Sequence, residues 1–169
     1  MHKDIEPFLK QLSDLFRERR LTLSVAESCT GGLIADMITD VPGASDSFDS
    51  AMVTYSAPSK MQLIGVHKVT IVKNGVVSEE TARQMAEGIR RIRKTDFSLS
   101  STGNLGPTAL EGKDIGSVFF AVASREGTIS KGMQFSGDRR SIKEQAAREA
   151  LMFLYEQVKK SGPPAQEIR

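Results

Sequence analysis

Near the start of the chain, a buried strand leads directly into a helix through a short, hydroxyl-rich turn. An apolar run at about 21–26 predicts the strand, and apolar residues at helical spacing near 30–39 predict the helix. The turn between them reads Ala-Glu-Ser-Cys-Thr-Gly-Gly over 26–32. Such a turn leaves backbone N–H groups exposed at a helix N-terminus, where an anion or a developing oxyanion is stabilised. We therefore expect the rest of the chain to build a site around this turn.

The remaining sequence continues the alternation of strands and helices. Because helices separate the first three strands, we expect those strands to be parallel, with right-handed crossovers. The short turn at Glu126-Gly127 predicts an antiparallel hairpin for the last two strands. The predicted fold is therefore α/β, a three-layer α/β/α sandwich whose mixed sheet is mainly parallel in its first half and ends in a C-terminal antiparallel hairpin. Helices are predicted at 3–19, 30–39, 57–64, 78–94 and 138–160, strands at 21–26, 50–55, 96–101, 117–123 and 128–135, and a loop at 102–114, while 65–77 stays ambiguous.

Length and composition suit a single domain with a full core. The chain has 169 residues, of which 39% are hydrophobic and 26% charged, as in ordinary globular proteins. No internal repeat and no linker divides it. We expect one domain over 1–160, with an amphipathic helix in 1–20, and a flexible tail over 161–169.

Several classes of partner and environment are disfavoured by the composition. A net charge of +2 without a clustered basic arm predicts no nucleic-acid partner. No signal-peptide core or membrane-length apolar run is present, so we expect no membrane association. The single cysteine, Cys29, excludes an internal disulfide and fits a reducing cytoplasm. The two histidines and this cysteine lack metal-ligand spacing, so no metal site is predicted.

Three polar segments follow the three predicted parallel strands. They cover 27–32, 55–60 and 102–106. Because the carboxyl ends of parallel strands meet at one edge of the sheet, and ligands bind there, we expect all three segments on one rim. Topology therefore predicts a small-molecule site at this rim.

The first rim segment offers three candidate nucleophiles, Ser28, Cys29 and Thr30. The histidines lie at the N-terminus and beyond the second segment, which disfavours a Ser-His-acid triad. Lys60 is a candidate base if burial lowers its pKa toward neutrality, and Tyr55 is a candidate to orient that lysine or to pass a proton.

Further groups on the rim are suited to bind an anion or a carbonyl. Thr102 and the amides of Gly103 and Gly31 are candidates to polarise a carbonyl or hold a phosphate, and Arg139 and Arg140 to bind an anionic group. Each candidate also has a purely structural reading. A serine before a helix more often caps it, a lone cysteine is more often a small buried hydrophobe, and a helical lysine is usually solvated. The residues alone therefore do not name a reaction.

Four segments of the chain resemble the CinA C-terminal domain family, whose members include nicotinamide-nucleotide amidases, also called nicotinamide mononucleotide deamidases. The resemblance runs from about Leu21 to the end of the last helix. With no molybdopterin-binding-like domain ahead of it, the chain is expected to be a stand-alone, competence- or damage-inducible type of family member. The four segments are Ala-Glu-Ser-Cys-Thr-Gly-Gly at 26–32, Val-Thr-Tyr-Ser at 53–56 with Lys60, Gly-Val-Val-Ser-Glu-Glu at 75–80, and Gly-Asp-Arg at 137–139.

The resemblance implies hydrolysis of nicotinamide mononucleotide to nicotinate mononucleotide and ammonia, as in pyridine nucleotide salvage. It implies that Ser28 attacks the carboxamide, Lys60 takes its proton and Tyr55 assists, with no metal or other cofactor. It also implies a homo-oligomer. Substrate contacts are expected from Ala26, Glu27, Thr30, Gly31, Gly32, Thr102, Gly103, Gly106 and Arg139.

The chain departs from the usual family sequence at two places beside the expected substrate. Residues 104–111, Asn-Leu-Gly-Pro-Thr-Ala-Leu-Glu, stand where the family usually has Ile-Ala-Gly-Pro and further glycines. Ala57 stands where the family tends to have asparagine. Two other functions therefore stay open: a nucleotide-binding protein with weak or no turnover, and an amidase for a different small amide.

Overall fold

The computed structural model describes residues 4–162, and the predicted tail lies outside them from residue 163 onward. Strands and helices alternate through the first half of this range, as expected. No helix in the described range is long and apolar enough to cross a membrane. The elements are α1 (Glu6–Glu18), β1 (Leu23–Glu27), α2 (Leu33–Thr39), β2 (Phe48–Val53), α3 (Ala57–Ile64), α4 (Lys68–Asn74), α5 (Glu79–Arg93), β3 (Phe97–Gly103), β4 (Ser117–Ser124), β5 (Gly127–Gln134) and α6 (Arg139–Lys160), with a 3-10 turn at Ala44–Asp46.

The five strands form one mixed sheet in the order β2-β1-β3-β4-β5. Strand β1 pairs in parallel with β2 on one side and β3 on the other, while β3-β4 and β4-β5 are antiparallel. The prediction of a mainly parallel first half and a C-terminal hairpin is confirmed. As a result, the carboxyl ends of β1, β2 and β3 lie at the same edge.

One face of the sheet carries the larger apolar side chains and forms the main core. Leu23 and Val25 of β1 and Leu99 of β3 pack there against α1, α2 and α6. Phe16 of α1 makes an edge-to-face contact with Phe97 at a centroid distance of 6.0 Å. The apolar side of α1 therefore belongs to this domain's own core.

The other face carries small residues, which let α5 approach closely. Ser98 and Ser100 of β3 donate hydrogen bonds to the carbonyls of Ala86 and Ala82 of α5, at 2.7 and 2.6 Å. These bonds satisfy buried hydroxyls that would otherwise be costly. With α3, α4 and α5 on this face, the sheet lies between two helical layers, as expected of the sandwich.

The sequence predicted the caps of α5 and α6 correctly, whereas the bounds of several other elements differ from the prediction. Ser78 caps α5 by accepting from Thr81 N, and Asp138 caps α6 by accepting from Ser141 N, as predicted. The ambiguous segment contains helix α4. Helix α2 begins at 33 rather than near 30, and β2 covers 48–53 rather than 50–55. The predicted loop start at 102–103 is wrong because both residues pair with β4.

Candidate functional site

The three rim segments meet at one edge of the sheet, as the topology predicted. They surround a cavity of about 130 Å³. Its walls come from residues 28–29, Tyr55, residues 76–77, residues 102–106, Leu110 and Arg139.

A buried carboxylate shapes the turn after β1. Glu27 is fully buried, and its side chain accepts backbone hydrogen bonds from Gly32 at 2.9 Å, Ile34 at 3.2 Å and Ala35 at 2.9 Å. These donors are the unpaired N–H groups at the start of α2, whose dipole also favours a negative charge. The carboxylate of Glu27 therefore orients the turn and α2 from inside the protein, where it does not line the cavity.

Lys60 contacts Ser28, which lines the cavity. Lys60 Nζ lies 2.8 Å from Ser28 Oγ, although the two residues are 32 positions apart. Helix α3 carries Lys60, and its start is fixed by a capping box between Ser56 and Ser59. Lys60 is only 1% exposed, so its amine is removed from solvent.

The remaining contacts of Lys60 are neutral carbonyls. Its Nζ donates to Thr54 O at 2.6 Å and to Tyr55 O at 3.4 Å. Within residues 4–162, no carboxylate forms an ion pair with it. Burial lowers the pKa of Lys60 from 10.5 to about 8. When Lys60 is neutral, its two N–H groups donate to the carbonyls of Thr54 and Tyr55. Its lone pair then faces the hydroxyl of Ser28 and accepts from it.

The other two candidate nucleophiles are in unreactive states. Burial raises the pKa of Cys29 to about 12, so its reactive thiolate is disfavoured. Thr30 is fully buried, and its hydroxyl is 2.7 Å from Ser101 Oγ. Of the three, Ser28 is the one that contacts a base.

Two backbone N–H groups, those of Cys29 and Thr30, directly follow Ser28 in the turn. Among the described residues, neither amide donates to the backbone of another residue, and the amide of Cys29 contacts its own thiol. The expectation that the amide of Gly31 polarises a carbonyl is wrong, because it already donates to Ser28 O at 3.1 Å. An oxyanion site beside a nucleophile commonly uses the amide of the next residue. Sequence reasoning missed these two amides because the hydrogen bonds within the turn decide which donors remain.

Tyr55 and Arg139 meet at the mouth of the cavity. The guanidinium of Arg139 donates to Tyr55 Oη at 2.9 Å and to Gly106 O at 2.8 Å. The backbone carbonyl of Tyr55 contacts Lys60. Its phenol contacts Arg139 instead, and Tyr55 is 61% exposed. The phenol of Tyr55 therefore contacts Arg139 and not Lys60, and a catalytic role for Tyr55 stays a prediction. Arg139 links the second and third rim segments, and both its acceptors are neutral.

The other predicted residues fall into two groups. Gly103 and Gly106 line the cavity, as does Thr102, whose hydroxyl donates to Val76 O at 2.7 Å. Ala26 is buried and does not line the cavity, and Arg140 pairs with Glu144 on α6.

Gly31 and Gly32 have φ of +57° and +96°, which the turn requires and which favour glycine. Substrate contact by these residues stays a prediction.

Two residues of the site carried no signal that sequence reasoning used. Thr54 supplies the carbonyl nearest Lys60 Nζ, and its own buried hydroxyl has no hydrogen-bond partner within the described range. Asn104 is buried and organises the loop after β3, donating to Thr108 O and Lys113 O and accepting from Gly106 N. An asparagine just after a strand is a signal for such a loop, since its side chain mimics backbone groups.

The sequence and the fold are similar to those of known proteins. The profile of the CinA C-terminal domain matches residues 5–158. A CinA-like protein of Syntrophus aciditrophicus is 46% identical over 153 residues, which cover 89% of this chain and 36% of that protein. A CinA-like protein of Geobacter sulfurreducens is 44% identical over 141 residues, 83% of this chain and 34% of that protein. This chain therefore spans about a third of the length of these relatives.

Solved structures of similar length share the fold throughout. The competence/damage inducible protein CihA from Agrobacterium tumefaciens is 34% identical with a TM-score of 0.88, over 93% of this chain and 96% of that one. The competence or damage-inducible protein from Enterobacter asburiae is 32% identical with a TM-score of 0.86, over 89% of this chain and 95% of that one.

Proposed function

Because the chain belongs to the CinA C-terminal domain family, we propose that it is a serine amidohydrolase that converts nicotinamide mononucleotide to nicotinate mononucleotide and ammonia. The observation that carries the proposal is the 2.8 Å contact between Lys60 Nζ and Ser28 Oγ. A buried lysine without a carboxylate partner is a base with a lowered pKa, which is what a serine nucleophile needs.

The first half of the reaction forms an acyl-enzyme. Neutral Lys60 accepts the proton of Ser28 as Oγ attacks the carboxamide carbon, and the carbonyl π electrons move to oxygen. The amides of Cys29 and Thr30, which follow Ser28 in the turn, stabilise the resulting oxyanion. When the tetrahedral intermediate collapses, the carbon–nitrogen bond breaks and the leaving amide nitrogen takes the proton from Lys60, which releases ammonia.

The second half returns the enzyme to its starting state. Water gives a proton to the neutral Lys60 and attacks the ester carbon, forming a second oxyanion at the same amides. Collapse breaks the bond to Ser28 Oγ, which recovers its proton from Lys60. Nicotinate mononucleotide leaves as the carboxylic acid product, which ionises at neutral pH.

The mouth of the cavity suits an anionic group on the substrate. The ring and its carboxamide are assigned to the cavity, and Arg139 lies at its edge with neutral hydrogen-bond partners. A phosphate would gain a charge-assisted bond to this guanidinium that Tyr55 and Gly106 do not supply. We propose that the phosphate of the mononucleotide lies there.

Ammonia release from nicotinamide mononucleotide tests the proposal. We expect activity in the wild-type protein and a loss of at least about 10³-fold in Ser28→Ala and Lys60→Ala, because each removes one half of the nucleophile–base pair. Cys29→Ala is the matched control in the same turn and should keep most of the activity.

Three outcomes separate the candidate functions. Equal background release by wild type and both variants contradicts the amidase proposal for this substrate. Tight binding of the mononucleotide without turnover indicates a binding protein. Ser28-dependent release of ammonia from another amide alone indicates a different substrate.

A further inference from the structure

The loop after β3 forms the outer wall of the cavity. Asn104, Leu105, Gly106 and Leu110 all line it. The loop has its own internal support, because the side chain of Asn104 bonds to Thr108, Lys113 and Gly106. Its position over the cavity is therefore decided by the points at which it is fastened to the rest of the protein.

Leu105 packs in the main core, and two further points are the contact between Arg139 and Gly106 O and the carboxylate of Glu111. The carboxylate Oε2 of Glu111 accepts from the backbone N–H of Val76 at 2.7 Å and of Val77 at 3.3 Å. Both valines line the same cavity, on the wall facing the loop. This contact joins the far end of the loop to the segment before α5.

The 75–77 segment has room for the carboxylate of Glu111 because residue 75 is a glycine. Gly75 has a φ of +82°, and a Cβ placed there would lie 2.2 Å from Oε2 of Glu111. On its other side, Val76 O accepts from the hydroxyl of Thr102 on β3. The receiving peptide is therefore anchored to the sheet, and only a residue without a side chain at position 75 leaves room for the carboxylate.

We propose that Glu111 is a positioning residue that holds the 104–113 loop against the 75–77 segment and so limits the size of the amide substrate that the site admits. The inference rests on the proposed function, because it concerns selection at the same site. With the loop held, Gly106 stays against Arg139 at the mouth, where the second nucleotide of the larger dinucleotide would extend from the phosphate. A mononucleotide then fits, and the dinucleotide, which carries the same carboxamide, meets the loop. Releasing the loop at Glu111 lets it move away from Val76 and Val77 and so widens the mouth.

A second consequence is electrostatic. The charge of Glu111 raises the pKa of Lys60 and so opposes the larger effect of burial. The titratable groups that act on Lys60 in this way are Cys29 and Glu111. A neutral residue at position 111 should therefore lower the pKa of Lys60. If Glu111 only held the loop in place, its replacement would leave that pKa unchanged.

Nucleotide binding is measured in proteins that carry Ser28→Ala, so that the choice between the two nucleotides is observed without turnover. We compare the Kd of nicotinamide mononucleotide and of the oxidised dinucleotide by calorimetry, with and without Glu111→Ala. We expect the variant to lower the ratio of dinucleotide to mononucleotide Kd by about ten-fold or more. Glu126→Ala, in the turn between β4 and β5 at the opposite edge of the sheet, is the matched control and should leave the ratio unchanged.

Two further readouts test the contact itself. Amide hydrogen exchange of Val76 and Val77 should become at least about ten-fold faster in Glu111→Ala. Glu111→Gln keeps the shape and an acceptor oxygen, so it should leave the binding ratio near that of wild type. In the protein that keeps Ser28, Glu111→Gln should move the acidic limb of the pH profile of kcat/KM to lower pH, because the pKa of Lys60 falls.

The outcomes distinguish this inference from the proposed function. An unchanged Kd ratio and unchanged exchange, in a protein that releases ammonia from the mononucleotide, overturn the role of Glu111 alone. A lowered ratio in a protein without amidase activity supports Glu111 and contradicts the proposed reaction. Absence of binding by either nucleotide contradicts both.

Discussion

At the scale of single residues, the site depends on a lysine that is buried without a counter-ion. Charged side chains are rarely buried unless paired, because desolvation favours the neutral form. The carbonyls of Thr54 and Tyr55 replace the usual carboxylate partner. They bind the amine in both protonation states, so Lys60 keeps its position while it gains and loses a proton.

The pH dependence of the reaction should report the pKa of Lys60. Only the neutral amine accepts the proton of Ser28, so kcat/KM should rise with pH below about 8 and level off above it. The measurement is initial rates of ammonia release across pH, with circular dichroism at each pH to check folding. A flat profile between about pH 6 and 9 would show that no group with this pKa acts as the base.

At the scale of elements, the close contact between α3 and α5 positions Lys60. Gly88 of α5 faces the last residue of α3, and a Cβ at that glycine would lie 1.9 Å from Ile64 O. The obstacle is backbone, which cannot move aside as a flexible side chain would. Gly88 therefore allows the carboxyl end of α3, the helix that carries Lys60, to pack closely against α5.

Gly88→Ala should lower both stability and activity. Overpacking at a fixed backbone atom costs about 1–3 kcal/mol or more, and relief requires α3 to shift with Lys60. Urea unfolding gives the stability, and ammonia release under folding conditions gives the activity. Glu87→Ala, at an exposed position on the same helix, should change the free energy of unfolding by less than about 0.5 kcal/mol. Equal stabilities of the two variants would contradict the close approach.

At the scale of the whole molecule, α1 closes the main core. Leu9, Leu12 and Phe16 are buried with residues of β1, β3 and α6. The predicted homo-oligomer stays a prediction. We expect α1 and the sheet to unfold together.

Leu12→Ala tests this cooperativity. Removing a buried leucine side chain should cost about 2–5 kcal/mol. If α1 belongs to the same cooperative unit, urea midpoints from far-ultraviolet circular dichroism and from amidase activity should fall together. Gln11→Ala, at the exposed neighbouring position, should leave both midpoints near wild type. A variant that loses helix signal early while activity stays unchanged would show that α1 unfolds separately.

Local patterns determined much of the fold and the place of the site. The apolar run of β1, the glycine-ended turn and the caps at Ser78 and Asp138 each depend on residues within a few positions. Hydrogen bonds and side-chain periodicity at that range are encoded directly in the sequence. Alternation of strands and helices then placed three polar segments, with Ser28 and Lys60 among them, at one rim.

Tertiary structure alone decided the chemical state of that rim. The burial of Lys60 and its contact with Ser28 depend on α3 packing beside the end of β1. The phenol of Tyr55 goes to Arg139, and Glu111 reaches Val76, because segments far apart in sequence meet there. Desolvation and hydrogen-bond distance are properties of the packed molecule, so the sequence determined which groups reach the rim, and the fold decided which of them touch.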